Sequence, residues 1–496
     1  MRQYIKEIGK HSTIYTISNI LTKAIGIILI PIYTRFLTVE DYGIISIVAP
    51  IVNAFLIIYT FGMRATYGRF FFDHKDRSRE QKKTLGTIVI FVLALGLFGN
   101  ILFTFFGESL FNRVFPGVDF YPYILLGIWT GFFLLTFDMK MNIFRLRQQS
   151  LAYGIYSILK FASIVILTIL MVVSLKMGAL GKILSEFIIC AAFFVLSFIL
   201  IIKDIIFAFD VKKFKELLKY ALPVLPHNLA GVIIALTAKY FLNINDGIEA
   251  AGIYNIAFLI GSIMNIVVSS INLTWNPFFM KTAQAKEEGE AKKIFAQLTS
   301  YYVMAVIFLG MVIAFFAEEA ISILTTPDYY AAVAIAPIIV FAYVIQGGYY
   351  ILITKIFYVK KATWYLPVIS VSAAITNIIF NAILVPRFGL AGSAWSFLVT
   401  TLFLITVTYF ISQRVYPITY EYKRIISILL LSSLCIIAYL FIMDRDPGML
   451  FAIVLKLLIL LVYLVSFFIF KLIRREEVDN LKDIYQKVLK RYVKKE

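Results

Sequence analysis

The chain has 496 residues, of which 61% are hydrophobic and 15% charged, with a mean hydropathy of +0.88 and a formal net charge of +18. A soluble domain is about 45–50% apolar and about 25% charged, so this composition excludes an ordinary soluble protein and requires lipid as solvent. The basic balance alone would fit a nucleic-acid binder, but the way the charge is distributed excludes that reading.

In chain order, apolar runs long enough to cross a bilayer, which takes roughly 20 residues, fall near 12–33, 42–63, 85–107, 119–139, 152–175, 179–202 and 217–242. Seven more follow near 251–275, 298–317, 331–351, 364–385, 390–411, 423–443 and 449–471. They are long and apolar all round, which argues for helices rather than the short alternating strands of a membrane β-barrel. The first run follows Arg2, Lys6 and Lys10. It is too long for the core of a cleaved signal peptide and reads as the first span. The expected fold class is therefore an all-α integral membrane protein of about fourteen transmembrane helices.

Lys and Arg alternate along this ladder. The N-terminus, the even-numbered loops and the C-terminus hold 37 of the 47; the odd-numbered loops hold six and the runs four, Lys23, Lys160, Lys239 and Lys456. This is the positive-inside rule followed through the whole chain. It predicts an even number of spans with both termini in the cytoplasm of a bacterial inner membrane, and it accounts for the basic charge without nucleic acid.

The two halves resemble each other. Residues 10–46 and 219–255 align at an offset of 209, pairing Lys10 with Lys219, Asn19 with Asn228, Glu40 with Glu249, Gly43 with Gly252 and Ile44 with Ile253. Gly178-x-x-Gly181 matches Gly389-x-x-Gly392 at an offset of 211, with Ser185 matching Ser396. Six spans are an even number, so the repeats are parallel, with a pseudo-twofold axis along the membrane normal. The expected organisation is an N-lobe over 1–202, a cytoplasmic connector over 203–216, a C-lobe over 217–411, two further helices over 412–473 and a basic amphipathic tail over 474–496. Transporters built this way pass substrate between the lobes.

Polar residues should line such a path. Ser12, Thr16, Asn19 and Lys23 share one face of the first run; Ser46, Asn53, Thr60 and Arg64 follow the second; Asn228 and Lys239 share a face of the seventh. The eighth run carries Asn255, Ser262, Asn265, Ser269, Asn272 and Asn276, and the eleventh Ser370, Asn377 and Asn381. Hydrogen bonding between helices explains any single Ser or Thr; the stripe of the eighth run reads as a wet cavity. A Lys or Arg at the membrane centre costs at least about 2.5–3.5 kcal/mol. Lys23 and Lys160 lie deep in their runs, whereas Arg35, Arg64 and Lys239 lie near ends from which they can snorkel. Lys456 reads as snorkelling or structurally paired. Asp138 and Glu186 are the acids within runs. A cavity of this balance is net cationic and favours an anionic ligand such as phosphate. No Walker loop, redox cysteine pair or metal-like histidine spacing is present in the sequence, so no cofactor is expected.

The segment Ile30-Pro31-Ile32-Tyr33-Thr34-Arg35-Phe36-Leu37, with Glu40-Asp41-Tyr42-Gly43 after it, resembles the opening of Wzx-type polysaccharide flippases, members of the multidrug/oligosaccharidyl-lipid/polysaccharide exporter superfamily. Tyr220-Ala221-Leu222-Pro223 with Pro226-His227-Asn228 is similar to that family's seventh helix. Gly252-Ile253-Tyr254-Asn255 through Trp275-Asn276-Pro277-Phe278 is similar to its eighth, and Pro386-Arg387-Phe388-Gly389-Leu390-Ala391-Gly392 to its eleven–twelve turn. The resemblance implies a MATE-like fold of two six-helix lobes plus two helices. It further implies alternating-access transport of an oligosaccharide on undecaprenyl pyrophosphate from the cytoplasmic to the outer leaflet, driven by an ion or proton gradient. Lys23, Arg35, Arg64, Lys160 and Lys239 are then the expected cationic set, and Asn19, Asn53, Asn228, Asn255 and Asn265 the polar lining. Glu186 and Asp138 are the coupling candidates for a proton or sodium ion. Partners would be the lipid-linked oligosaccharide, the bilayer, and the polymerase and glycosyltransferases of the same pathway. Rival readings are a multidrug exporter or lipid II flippase of the same superfamily, a membrane polymerase, which would need a sizeable outer loop, and a scaffold acting through the 474–496 tail.

Overall fold

The computed structural model describes residues 26–27, 29–73, 79–359, 362, 364–443, 448–470 and 472. Asn19, Lys23, most of the first run and the 474–496 tail lie outside the described residues. The helices, in chain order, are α1 (Ile30–Phe36), α2 (Val39–Thr60), α3 (Met63–Asp73), α4 (Arg79–Val114), α5 (Leu125–Leu146), α6 (Ser150–Ile169), α7 (Gly178–Ile202) and α8 (Val211–Asp246). They continue with α9 (Ile248–Ala285), α10 (Glu288–Phe315), α11 (Ala317–Leu324), α12 (Ala332–Tyr358), α13 (Tyr365–Val415), α14 (Tyr422–Met443) and α15 (Met449–Ile469).

Twelve helical segments among the described residues are long and apolar enough to cross a bilayer. One of them makes two passes: α13 has 51 residues, about 76 Å of helix, and Gly389 inside it has φ 51° and ψ −128°, which breaks its direction. The described residues thus carry the second to fourteenth expected spans, and α1 is the end of the first. The helices overrun the apolar runs, so several cations expected in loops sit in helices: Lys140 and Arg145 in α5, Lys182 in α7 and Lys355 in α12.

Caps set the helix starts. Thr38 and Asp41 form a capping box at α2: the Asp41 amide donates to Thr38 Oγ1 at 3.0 Å, and the Thr38 amide donates to Asp41 Oδ2 at 3.2 Å. The other oxygen of Asp41 accepts from the Ala179 amide at 2.8 Å, so one carboxylate also caps the first turn of α7. Asp210 accepts from the Lys212 and Lys213 amides and starts α8 there, which leaves 203–210 as the non-helical part of the connector. Gly178 (φ +59°) opens α7 and its repeat-equivalent Gly389 (φ +51°) opens the second arm of α13, so both repeats use a left-handed glycine at the same place.

The described chain falls into two units. One comprises the described residues up to 276 together with 317–416. In it α5 packs on α7 and α2, α13 on α12 and α8, and α2 on α8. Its core around α2, α4 and α5 includes Ile47, Ile51, Val92, Ile128, Leu135 and Ile143. A smaller cluster around α12 and α13 includes Ile353, Ile356 and Ile369. The second unit comprises 277–316 together with the described residues from 417 on, where α10, α14 and α15 pack together. Large side chains such as Phe105, Phe106, Ile166, Phe410 and Leu450 point outward, an exposure that only lipid covers favourably. Polar groups turn inward and bond across helices: Thr168 Oγ1 with Ser185 Oγ at 2.6 Å and Tyr156 Oη with Ser197 Oγ at 2.8 Å.

Candidate functional site

Two helices, α2 and α8, carry proline in their interior, at Pro50 and at Pro223 and Pro226. Between them, with α9, α12 and α13, lies a central cavity of about 500 Å³. Asn53 lines it from α2, Lys239 from α8, Asn255 and Asn265 from α9, Gln346 from α12 and Asn377 from α13. Phe258, Tyr343 and Phe397 form one aromatic wall, with Tyr343 edge-on to Phe397 at 5.3 Å and to Phe258 at 5.8 Å.

Lys239 is the cation of this cavity among the described residues. It is only 7% exposed. Its ammonium donates to the Ser46 carbonyl at 2.5 Å and to Asn255 Oδ1 at 2.9 Å. Near the cavity, Asn265 Oδ1 and Gln346 Oε1 are buried and accept no hydrogen bond among the described residues. Asn53 donates to the carbonyl of Ala49 on its own helix at 3.1 Å. Asn377 Nδ2 donates to Thr400 Oγ1 at 3.0 Å, and Asn381, fully buried, donates to Asn377 Oδ1 at 3.2 Å and accepts from Ser393.

A second cavity, also of about 500 Å³, follows along the same two helices and is lined by Thr60, Arg64, Asp138, Asn142, Arg145 and Asn228. Arg64 Nη1 meets Asp138 Oδ1 at 2.6 Å, and Asn142 Nδ2 donates to the Arg64 carbonyl at 3.2 Å. Arg145 lies over the Tyr153 ring at 5.7 Å. Two arginines against one aspartate leave this mouth net cationic, as Lys239 leaves the central cavity. The two cavities are one helical turn apart on each helix, between Asn53 and Leu56 on α2 and between Asn228 and Gly231 on α8.

Beyond Lys239 the helices come together. Gly43 of α2 and Gly252 of α9 touch backbone to backbone, and Ser46 Oγ donates to the Ala251 carbonyl at 3.3 Å. At the same end Thr34 Oγ1 donates to the carbonyl of Leu324 at 3.2 Å.

The expected cationic set is thus divided. Lys239 lines the central cavity and Arg64 the mouth. Lys160 lines neither; it lies over the Phe137 ring at 4.3 Å inside the first six helices. Arg35 is exposed on α1. Of the asparagines, Asn53, Asn255 and Asn265 share the central cavity and Asn228 belongs to the mouth. Asp138 is paired with Arg64, and Glu186 with Lys182 one turn away at 2.8 Å. Lys456 does not snorkel: it is 1% exposed, near the rings of Phe316 and Tyr439. Sequence reasoning missed Arg145, Gln346 and the aromatic wall. Gln346 is the one amide side chain in its apolar run, a signal that was available.

The family model described as "Polysaccharide biosynthesis protein" matches residues 8–283, more than half of the chain. No curated protein sequence matches it. Among solved structures, the lipid II flippase MurJ in an inward closed conformation is similar at a TM-score of 0.63 and 20% identity, covering 93% of this chain and 99% of that one. An inward-facing multidrug resistance MATE family transporter of the MOP superfamily is similar at 0.60 and 13%, covering 81% and 94%. The MATE multidrug transporter DinF-BH is similar at 0.61 and 17%, covering 82% and 95%. At these identities the likeness establishes the fold alone: an all-helical membrane bundle of the kind seen in MATE transporters and MurJ.

Proposed function

The chain belongs to the polysaccharide biosynthesis protein family, and from that premise we propose that it is a flippase. Its substrate on this reading is an oligosaccharide repeat unit on undecaprenyl pyrophosphate, moved from the cytoplasmic to the outer leaflet of the bacterial inner membrane for polysaccharide synthesis. The observation that carries the reading is the pair of cavities stacked along α2 and α8, cationic and amide-lined, and closed at one end by the Gly43–Gly252 contact.

The diphosphate suits the mouth, where Arg64 and Arg145 offer two guanidinium forks for phosphate oxygens. The sugars suit the central cavity. Its amides offer donors and acceptors to hydroxyls, and its rings offer flat apolar faces to sugar C–H groups. The lipid tail remains in the bilayer. With the termini in the cytoplasm, the Arg64 end faces inward, and transport requires the Gly43–Gly252 end to part while the mouth closes. Coupling to a proton or sodium gradient would run through Asp138, because its partner Arg64 lines the substrate path, with Glu186 the second candidate. No step in this scheme makes or breaks a covalent bond, so the activity is transport.

The likeness to the lipid II flippase, which extends over 93% of the chain, favours lipid II as the second reading. Reconstitution separates them. The purified protein is placed in liposomes carrying either a lipid-linked oligosaccharide or lipid II, and exposure in the opposite leaflet is followed with a lectin or a sugar-modifying enzyme, with and without an ion gradient. Exposure of the oligosaccharide lipid supports the proposal; exposure of lipid II alone, or of neither, overturns it.

A further inference from the structure

Lys239 has no counter-ion among the described residues. Its ammonium is held by two neutral oxygens, those of Ser46 and Asn255, and no charged group among the described residues offsets its burial. The first apolar run, 12–33, contains no Asp or Glu. Asp138 and Glu186, the acids that lie inside apolar runs rather than at their first residue, are already engaged by Arg64 and Lys182. A buried cation left unpaired is costly, and one facing a polar cavity marks a place where a ligand brings the missing charge.

That charge is not the diphosphate bound at the mouth. Ser46, which holds Lys239, and Thr60, which lines the mouth beside Arg64, are fourteen residues apart on α2, about 21 Å of helix. One diphosphate cannot reach both. A single ammonium among amides and aromatic rings is also a poor match for a group bearing two or more charges, whereas Arg64 and Arg145 together are a good one. What fits beside Lys239 is a group with one negative charge, embedded in a hydroxyl-rich, partly apolar molecule. Its hydroxyls can meet the side chains of Asn53, Asn265 and Gln346, which line the cavity.

We infer that the central cavity is a subsite for an acidic sugar, in which the Lys239 ammonium pairs with the carboxylate of a uronic acid in the transported oligosaccharide. The inference rests on the flippase reading and sharpens it: the substrate carries a second anionic group, distant from its diphosphate.

The test measures binding rather than transport. The full-length protein in nanodiscs is titrated with a glucuronate-containing hyaluronan tetrasaccharide, and separately with the same tetrasaccharide after its carboxyl groups are reduced to alcohols; the melting midpoint is the readout. The acidic form is expected to raise the midpoint and the reduced form to bind at least tenfold more weakly. Lys239→Gln keeps a donor for Ser46 and should erase the preference, while Lys239→Arg should retain it. Inorganic pyrophosphate should still bind Lys239→Gln and should lose affinity in Arg145→Gln. Equal binding of both sugars, no binding of either, a preference that survives in Lys239→Gln, or loss of pyrophosphate binding in that variant would each overturn the inference. If Lys239→Gln does not fold, the two sugars on the native chain and on Lys239→Arg still decide. A protein that discriminates the sugars but exposes no lipid-linked substrate in liposomes refutes the flippase reading instead.

Discussion

Gly43 and Gly252 touch each other: a Cβ added to Gly252 would stand 3.0 Å from the Gly43 nitrogen and 2.8 Å from the Val39 carbonyl oxygen. They are also the same position in the two repeats, 209 residues apart. A residue and its symmetry mate can meet only on the axis that relates them, so the pseudo-twofold axis passes through this contact. On the flippase reading the contact stands just beyond Lys239 and serves as the gate of the path.

The first prediction follows from that closeness. A Cβ on Gly43 would sit 2.3 Å from the Ile248 carbonyl oxygen, which is backbone and has no rotamer to retreat into. Gly43→Ala should therefore weaken the closed end, at an overpacking cost of about 1–3 kcal/mol, and favour the state open there. A cysteine at Ala49, exposed in the central cavity, in a chain with Cys190 and Cys435 replaced, should then label severalfold faster with an impermeant maleimide added from outside. An unchanged labelling rate would mean that the contact is not a gate.

The Arg64–Asp138 pair should separate stability from transport. Arg64 keeps 43% of its side chain exposed, and pairs this open contribute only about 0–1 kcal/mol. Arg64→Gln should leave the melting midpoint almost where it is and lower transport at least tenfold. Asp138→Asn should do the reverse to binding: with its competitor neutral, Arg64 is released, and the affinity for inorganic pyrophosphate should rise. Weaker pyrophosphate binding in Asp138→Asn would show that the aspartate positions Arg64 rather than competes for it.

The membrane-spanning helices among the described residues were legible because run length is a one-dimensional property. The left-handed glycines at 178 and 389 could be paired by sequence for the same reason. The site was only partly legible, because facing a cavity is a matter of helix rotation and of what stands opposite. In sequence Lys160 lies deep in its apolar run and Lys239 near the end of its own, yet depth along a run did not tell which of them faces a cavity. One ended against the Phe137 ring and the other beside an open space. Lys140 reads as a loop charge, yet α5 extends past its apolar run and places it 6% exposed against Asp204.

That last cluster predicts a pH dependence. Asp204 lies beyond the end of α7 and accepts from Lys140 at 2.9 Å and from Arg147 at 2.7 Å. Burial alone would raise its carboxyl, but these two hydrogen-bonded cations outweigh it and hold the group below the usual carboxylate range. A folded value below the unfolded one, about 3.9, means that the stabilisation is complete above that pH and is lost as the pH falls through the folded value. Melting midpoints measured from pH 6 downward should fall for the native chain below about pH 4. Asp204→Asn should start lower and respond less over that window. Parallel curves for the two proteins would remove Asp204 from the account.

The amides of α9 and α13 should part company when replaced. Asn381 is fully buried and knits the two arms of α13, donating to Asn377 and accepting from Ser393. It is absent from the cavity lining. Hydrogen bonds between membrane helices average about 0.6 kcal/mol and reach about 1.7, so Asn381→Ala should cost stability of that order and leave transport per folded molecule unchanged. Asn265 has the opposite position: its Oδ1 lies buried beside the cavity and accepts nothing among the described residues. Removing a buried acceptor that has no partner relieves a desolvation penalty, so Asn265→Leu should melt at the same temperature or higher and yet transport less. Measured together by melting midpoint and leaflet exposure, the two variants should move along different axes. If Asn265→Leu lowers stability as Asn381→Ala does, both amides serve as bonds between helices and the central cavity loses its claim on substrate.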